Sequence, residues 1–173
     1  MSERTVRTVV SGMSYTECPR WHEGRLWFAD FYTHAIYSVN EDGSDLRTEV
    51  EVPAQPSGIG WLPDGRLLYV SMRDRAVMRR EPDGTLVVHA DVSDRVSGHP
   101  NDMVVDAQGR CWLGNFGFDL HDPEADQRRT EQRVVGLAET GIVMARINRM
   151  AKTLDPASPW TAASAAYWDS QTF

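Results

Sequence analysis

The chain has 173 residues, which is enough for one domain with a sizeable hydrophobic core. Its 18 Lys and Arg against 25 Asp and Glu give a formal charge of −7, which argues against a large phosphate-binding surface, so no nucleic-acid partner is expected. A content of 41% hydrophobic and 25% charged residues excludes collagen-like, disordered and coiled-coil classes.

The amino-terminal segment "MSERTVRTVV" has charges where a signal peptide would need apolar residues, and no later run reaches the length of a membrane helix. We therefore expect a soluble, cytoplasmic protein with no membrane partner. Cys18 and Cys111 lie 93 positions apart without CxxC spacing, so they indicate neither a disulfide framework nor a zinc site. We interpret both as small buried hydrophobes.

Three segments align on a Gly-Arg pair and repeat along the first 120 residues. They are "ECPRWHEGRLWFAD" (17–30), "PSGIGWLPDGRLLYVS" (56–71) and "PNDMVVDAQGRCWLGN" (100–115). Their glycines, Gly24, Gly65 and Gly109, are 41 and 44 residues apart, which is the period of four-stranded propeller blades. The sequence therefore predicts an all-β fold of propeller blades.

Each repeat contains a short apolar or aromatic segment after its Gly-Arg turn. These segments are predicted strands at Leu26–Asp30, Leu67–Ser71 and Cys111–Asn115. "NEDGS" (40–44) and "EPDGT" (81–85) supply a second turn in two of the repeats. We expect residues 15–120 to form antiparallel four-stranded sheets packed face to face, with the three aligned glycines in equivalent turns.

The repeat pattern stops at about residue 120, because residues 121–173 contain no further Gly-Arg turn. Apolar residues from Leu137 to Met150 fit a loosely helical spacing, which predicts a short helix near 130–152. We therefore divide the chain into a partial propeller, residues 1–120, and an irregular or short-helical tail without a blade of its own, residues 121–173.

About two and a half blades cannot close a ring, because propellers need about four to eight and an open array leaves unpaired strand edges. Three explanations are open. The tail covers an exposed edge, other copies complete the ring by self-association through open sheet edges, or the chain is a truncated or frame-altered form of a longer protein. We favour the third because the pattern ends abruptly.

Three polar residues within two positions of a proline occupy nearly the same place in the repeats: Glu17, Ser57 and Asn101. Innermost strands line the channel of a propeller, so these side chains are expected to converge on its axis. Carboxylate, hydroxyl and amide oxygens suit calcium, magnesium or manganese and can also serve zinc. The alternative is that they only cap their strands, which we favour for Ser57 but not for Glu17.

The three motifs together resemble the amino-terminal part of the senescence marker protein/gluconolactonase family, also called regucalcin-like, over about residues 10–120. This resemblance implies a six-bladed propeller with one divalent metal in its channel. It also implies a metal-dependent hydrolase that opens a small sugar-type lactone by water attack.

By that resemblance Glu17 matches the family's first metal-binding glutamate, and Asn101 matches a substrate-contacting asparagine. His99 stands where some relatives carry an arginine and is a candidate substrate-binding residue, although a solvent-facing loop histidine is the alternative. The family's remaining metal ligands and base come from later blades and have no counterpart here. We therefore expect little or no turnover from this chain alone.

Other histidines show no ligand spacing and are interpreted as surface residues: His22, His34, His89 and His121. Four tryptophans near the first hairpins are interpreted as core between blades: Trp21, Trp27, Trp61 and Trp112. The rival function is a non-catalytic binding module whose tail docks on a partner, and its aromatic anchors would be Trp160, Tyr167, Trp168 and Phe173.

Overall fold

The structure is a computed structural model that describes residues 6–96, 98–119, 121–122, 133–138 and 141–146. Within these residues every regular element is a β-strand. No helix in the described ranges is long and apolar enough to cross a membrane.

Twelve strands form three four-stranded antiparallel sheets. The first sheet contains β1 (Thr16–His22), β2 (Arg25–Asp30), β3 (Ala35–Asn40) and β4 (Arg47–Glu51). The second contains β5 (Pro56–Trp61), β6 (Leu67–Ser71), β7 (Ala76–Arg80) and β8 (Leu86–Asp91). The third contains β9 (Pro100–Val105), β10 (Cys111–Asn115), β11 (Arg133–Ala138) and β12 (Gly141–Arg146). Each strand pairs with its neighbour in the sequence, as in propeller blades.

The three aligned glycines lie in equivalent turns between the first and second strands of their sheets, as the repeat predicts. Gly24, Gly65 and Gly109 have φ values of 74°, 84° and 77°, a region that favours glycine. In the last two turns an aspartate side chain helps to hold the loop. Asp64 Oδ1 accepts from the Arg66 N–H at 3.1 Å, and Asp106 Oδ1 accepts from the Gln108 N–H at 3.0 Å.

The second sheet is covered on both faces, which explains why all five residues of β6 are buried. Leu67 and Tyr69 pack with Trp27, Ala29 and other residues of the first sheet. The alternate residues of β6 face the third sheet and pack in a second cluster: Leu68 and Val70, with Met103, Cys111 and Leu113. Face-to-face packing of the sheets is therefore confirmed.

The third sheet draws its outer half from beyond residue 120. β11 pairs with β10, and β12 pairs with β11 from Arg133↔Arg146 to Ala138↔Gly141. The short helix expected near 130–152 is wrong where that range is described, and the described residues form three four-stranded sheets rather than about two and a half blades. The helical spacing was misleading because β-branched residues such as Val134 and Val143 favour strands; β11 pairs with the edge of β10, and β12 pairs with β11.

The buried residues agree with most expectations for the core. Cys18 and Cys111 are free and buried, and burial raises the pKa of both thiols, that of Cys111 to about 12. Trp27 lies in the core, whereas Trp21 was misassigned, because 53% of its surface is exposed. The proposed anchors Trp160, Tyr167, Trp168 and Phe173 lie outside the described residues.

Candidate functional site

Glu17, Ser57 and Asn101, called the hub residues below, occupy one structural position. It lies at a pairing irregularity near the start of the inner strand of each sheet. Strand pairing matches Thr16 with Asp30, Pro56 with Ser71 and Pro100 with Asn115. Glu17, Ser57 and Asn101 each come one residue later, and the register then shifts in all three sheets. Such irregularities redirect side chains and are common beside active sites.

Ser57 and Asn101 are in direct contact across neighbouring sheets. The Ser57 hydroxyl, fully buried, donates to Asn101 Oδ1 at 2.8 Å. The Cys18 sulfur lies 3.8 Å from the same hydroxyl oxygen. Ser57 is thus more than a strand cap, because its hydroxyl fixes the amide of Asn101. Asn101 Nδ2 has no hydrogen-bond partner among the described residues, so it is a donor available to a ligand.

Glu17 carries a half-buried carboxylate that forms no hydrogen bond or ion pair with any described residue. It lines an open cavity of about 450 Å³ between the amino-terminal segment and the first sheet, together with Thr16, Leu26 and Phe28. Neither Ser57 nor Asn101 lines that cavity. The structure therefore connects Asn101 to Ser57 and Ser57 to Cys18, the neighbour of Glu17, but shows no contact between Glu17 and Asn101.

Asp102 lies beside the hub, where it helps burial to raise the pKa of the Cys18 thiol, but its carboxylate is paired with Arg20. Its Oδ1 accepts from Arg20 Nη2 at 2.7 Å, and the same nitrogen donates to the Met103 carbonyl at 2.8 Å. Arg20 therefore ties the inner strand of the first sheet to that of the third. Glu17 is left as the carboxylate without a partner at this position.

The hub residues fit a divalent cation as part of a larger ligand set. Among the described residues, no group of three or more His, Cys, Asp or Glu side chains could hold a metal ion. Calcium takes about 6–8 oxygen ligands and binds more tightly when more of them are charged. The unpaired Glu17 suits such an ion, and the Asn101 oxygen is already a hydrogen-bond acceptor for Ser57.

His99 is 8% exposed, so the solvent-facing alternative for this residue is wrong. Its Nδ1 lies 3.5 Å from Asp119 Oδ1, and its ring lies 5.5 Å from that of His121. Burial lowers the pKa of His99, and the charges of Arg75 and Arg73 lower it further, whereas Asp119 opposes them. His99 is therefore predominantly neutral at pH 7.

Sequence reasoning missed three polar residues beside His99. His121 Nε2 lies 2.8 Å from Gln55 Oε1 and 3.5 Å from Arg73 Nη2. His121 is exposed, as its interpretation as a surface residue predicts, but its contacts with Gln55 and Arg73 join segments that are distant in the sequence. Only Gln55 could have been found from the sequence. It stands two residues before Ser57, the same position in its repeat that His99 has before Asn101.

Comparison with known proteins places this geometry in context. Residues 15–153 match the family model described as the SMP-30/gluconolactonase/LRE-like region. A comparison with curated proteins finds no match. A gluconolactonase from Xanthomonas campestris is similar in structure, with a TM-score of 0.67 and 23% sequence identity over 83% of this chain and 50% of that chain.

Two other solved structures are similar to the chain. Regucalcin from Agrobacterium tumefaciens, a calcium-binding protein, has a TM-score of 0.56 and 21% identity over 78% of this chain and 44% of its own. Virginiamycin B lyase from Staphylococcus aureus has a TM-score of 0.54 and 16% sequence identity over 78% of this chain and 42% of its own. These likenesses show the propeller fold, and this chain spans about half the length of the proteins it resembles.

Proposed function

The chain belongs to the SMP-30/gluconolactonase/LRE-like family, and we propose on that basis that it supplies the first three blades of a metal-dependent lactone hydrolase. The substrate would be a small sugar-type lactone. The observation that carries the proposal is the shared position of Glu17, Ser57 and Asn101, which presents an unpaired carboxylate and an oriented amide from successive blades.

Glu17 would hold a divalent cation by its charge, with calcium, zinc, manganese and magnesium as candidates. When bound, such an ion supplies Lewis acidity towards the lactone carbonyl and lowers the pKa of water. The Glu17 carboxylate is suited to this role because no cation of the described residues neutralises it. Further ligands would come from blades beyond these three.

Asn101 would orient the lactone through its amide. Since Ser57 donates to Oδ1, the Nδ2 group is held in one direction and can donate to a substrate oxygen. A fixed donor costs no reorganisation when the substrate binds. His99, two residues away and predominantly neutral at pH 7, would form a hydrogen bond with a substrate hydroxyl.

The test is a lactone-opening assay with added calcium, manganese or zinc. It would compare the 173-residue chain with a chimera in which residues 15–146 replace the first three blades of a full-length gluconolactonase. We expect metal-dependent opening by the chimera and little by the chain alone. Loss of an outer-shell metal partner typically costs about 10–100-fold, so Glu17→Gln should reduce kcat/KM at least that much.

Asn101→Ala provides the matched comparison in the same chimera. It should lower lactone turnover but leave the metal affinity nearly unchanged, because the amide orients substrate. Melting temperatures of all variants verify that they fold. A folded, active chimera whose turnover resists chelation and Glu17→Gln would overturn the proposal.

A further inference from the structure

A cluster of polar and basic side chains lies near the starts of the inner strands β5 and β9, which carry Ser57 and Asn101. Gln55 and His99 stand two residues before Ser57 and Asn101, at the ends where the inner strands β5 and β9 begin. Arg73 and Arg75 come from the turn between β6 and β7, and His121 follows β10. Four connecting segments, which precede β5, join β6 to β7, precede β9 and follow β10, therefore contribute to this cluster.

The contacts within this cluster leave Arg73 available to a ligand. Arg73 and Arg75 are exposed, and neither forms an ion pair in the described part of the chain. Among the described residues, the hydrogen-bond contact of Arg73 Nη2 is with the imidazole of His121, at 3.5 Å. The Arg73 guanidinium thus carries a charge that no carboxylate of the described residues pairs with directly.

Two carboxylates lie nearby, and both are engaged. Asp119 accepts from the His121 backbone N–H at 2.9 Å, and this bond, with the charges of His99, His121 and Arg75, lowers the pKa of Asp119. Asp74 accepts from the Ser71 hydroxyl at 2.6 Å. Burial, and then the charge of Asp74, raise the pKa of Tyr69.

Gln55 gives an independent sign of a ligand. Its side chain is fully buried, and its Oε1 contacts His121 at 2.8 Å. Its Nε2 is buried without a hydrogen-bond partner. A buried polar group without a partner costs about 1–3 kcal/mol, so such groups are usually satisfied in the working state of a protein.

We propose that Arg73, His121, His99 and Gln55 form a subsite for an anionic oxygen group, a carboxylate or phosphate, on the lactone substrate. Arg73 supplies the charge and a planar pair of donors that matches such groups. The Gln55 Nε2 amide supplies a further N–H donor, and the rings of His99 and His121 flank it. The proposal deepens and rests on the proposed function, because it names anionic sugar lactones as the substrate class.

The test is binding of inorganic phosphate and of gluconate to the 173-residue chain, followed by NMR of the histidine ring protons. Arg73→Gln is compared with Arg7→Gln, which removes an exposed arginine that donates to the Glu41 carbonyl, far from the cluster. We expect saturable shifts at His99 and His121 in the wild type and in Arg7→Gln. In Arg73→Gln the Kd should rise about tenfold, the loss expected for one charged hydrogen bond.

The relative affinities of the two probes identify which anion the subsite prefers. Equal Kd values in Arg73→Gln and Arg7→Gln, shifts centred on other residues, or no saturable binding of either probe would overturn the subsite. Equal melting temperatures of the two variants verify that Arg73→Gln folds. Anion binding at His99 and His121 without lactone opening by the chimera would refute the proposed function while supporting an anion site.

Discussion

Asp30 is a buried carboxylate that shows how single residues fix the start of the chain. Its Oδ2 accepts from the Ser14 N–H at 2.6 Å, and its Oδ1 accepts from Tyr15, Tyr32 and Thr33 at 3.0–3.3 Å. Burial alone would raise the pKa of Asp30, but these four donors hold it below its usual range. Asp30 therefore holds residues 14–15, just before β1 and Glu17, against the end of β2.

Asp30→Asn should destabilise the protein by about 2 kcal/mol at pH 7, because hydrogen bonds to a charged acceptor are lost. Since folding lowers the Asp30 pKa, its contribution is fully present above the unfolded value of about 3.9 and is lost as pH falls through the folded pKa. Urea unfolding at pH 7 and at pH 3 measures this. Asp42→Asn, at an exposed turn, is the control, and equal losses for both variants would contradict the assignment.

Among the strands, those that follow a repeated Gly-Arg turn could be predicted from the sequence. Leu26–Asp30, Leu67–Ser71 and Cys111–Asn115 were predicted almost to the residue because turn glycines and apolar runs recur. β11 and β12 were missed because no turn motif marks them. The spacing of their apolar residues fits a helix or a strand. Pairing of β11 with β10, and of β12 with β11, selects the strand.

The close approach of β5 and β9 depends on a glycine in the hub. A Cβ on Gly58 would lie 2.4 Å from the Met103 nitrogen and 2.9 Å from the Asn101 carbonyl oxygen. Gly58→Ala should therefore destabilise the protein by about 1–3 kcal/mol and displace Asn101. The comparison is Gly65→Ala, where space is open and only the positive φ of 84° is strained.

Denaturant unfolding gives the stabilities of both glycine variants, and amide NMR reports the position of Asn101. The expected result is a shifted Asn101 signal in Gly58→Ala and an unchanged one in Gly65→Ala. A Gly58→Ala protein as stable as the wild type, with the Asn101 signal in place, would show that the two strands are not in this close contact.

At the scale of the whole molecule, the sequence predicted the architecture better than the site. Repeats of 41 and 44 residues were enough to predict stacked four-stranded sheets and to align Glu17, Ser57 and Asn101. The Ser57–Asn101 bond and the Gln55–His121 contact join residues 44 and 66 positions apart. Such contacts depend on how neighbouring blades pack, which no local pattern encodes.

The proposed function depends most on the binding of a divalent cation by Glu17, at the position in the first blade that corresponds to Asn101 in the third. The most direct measurement is Mn²⁺ titration of the 173-residue chain, followed by paramagnetic broadening of backbone amide NMR signals. Glu17→Gln is compared with Glu23→Gln, whose side chain is 82% exposed in the turn after β1. Weak binding is expected, since one carboxylate and neutral donors make a low-affinity site.

We expect Mn²⁺ to broaden first the signals of Glu17, Ser57 and Asn101 in the wild type and in Glu23→Gln. This selective broadening should disappear in Glu17→Gln, which keeps the fold and removes the charge. Broadening centred on other residues, or the same broadening at the hub in Glu17→Gln, would show that Glu17 does not bind the ion.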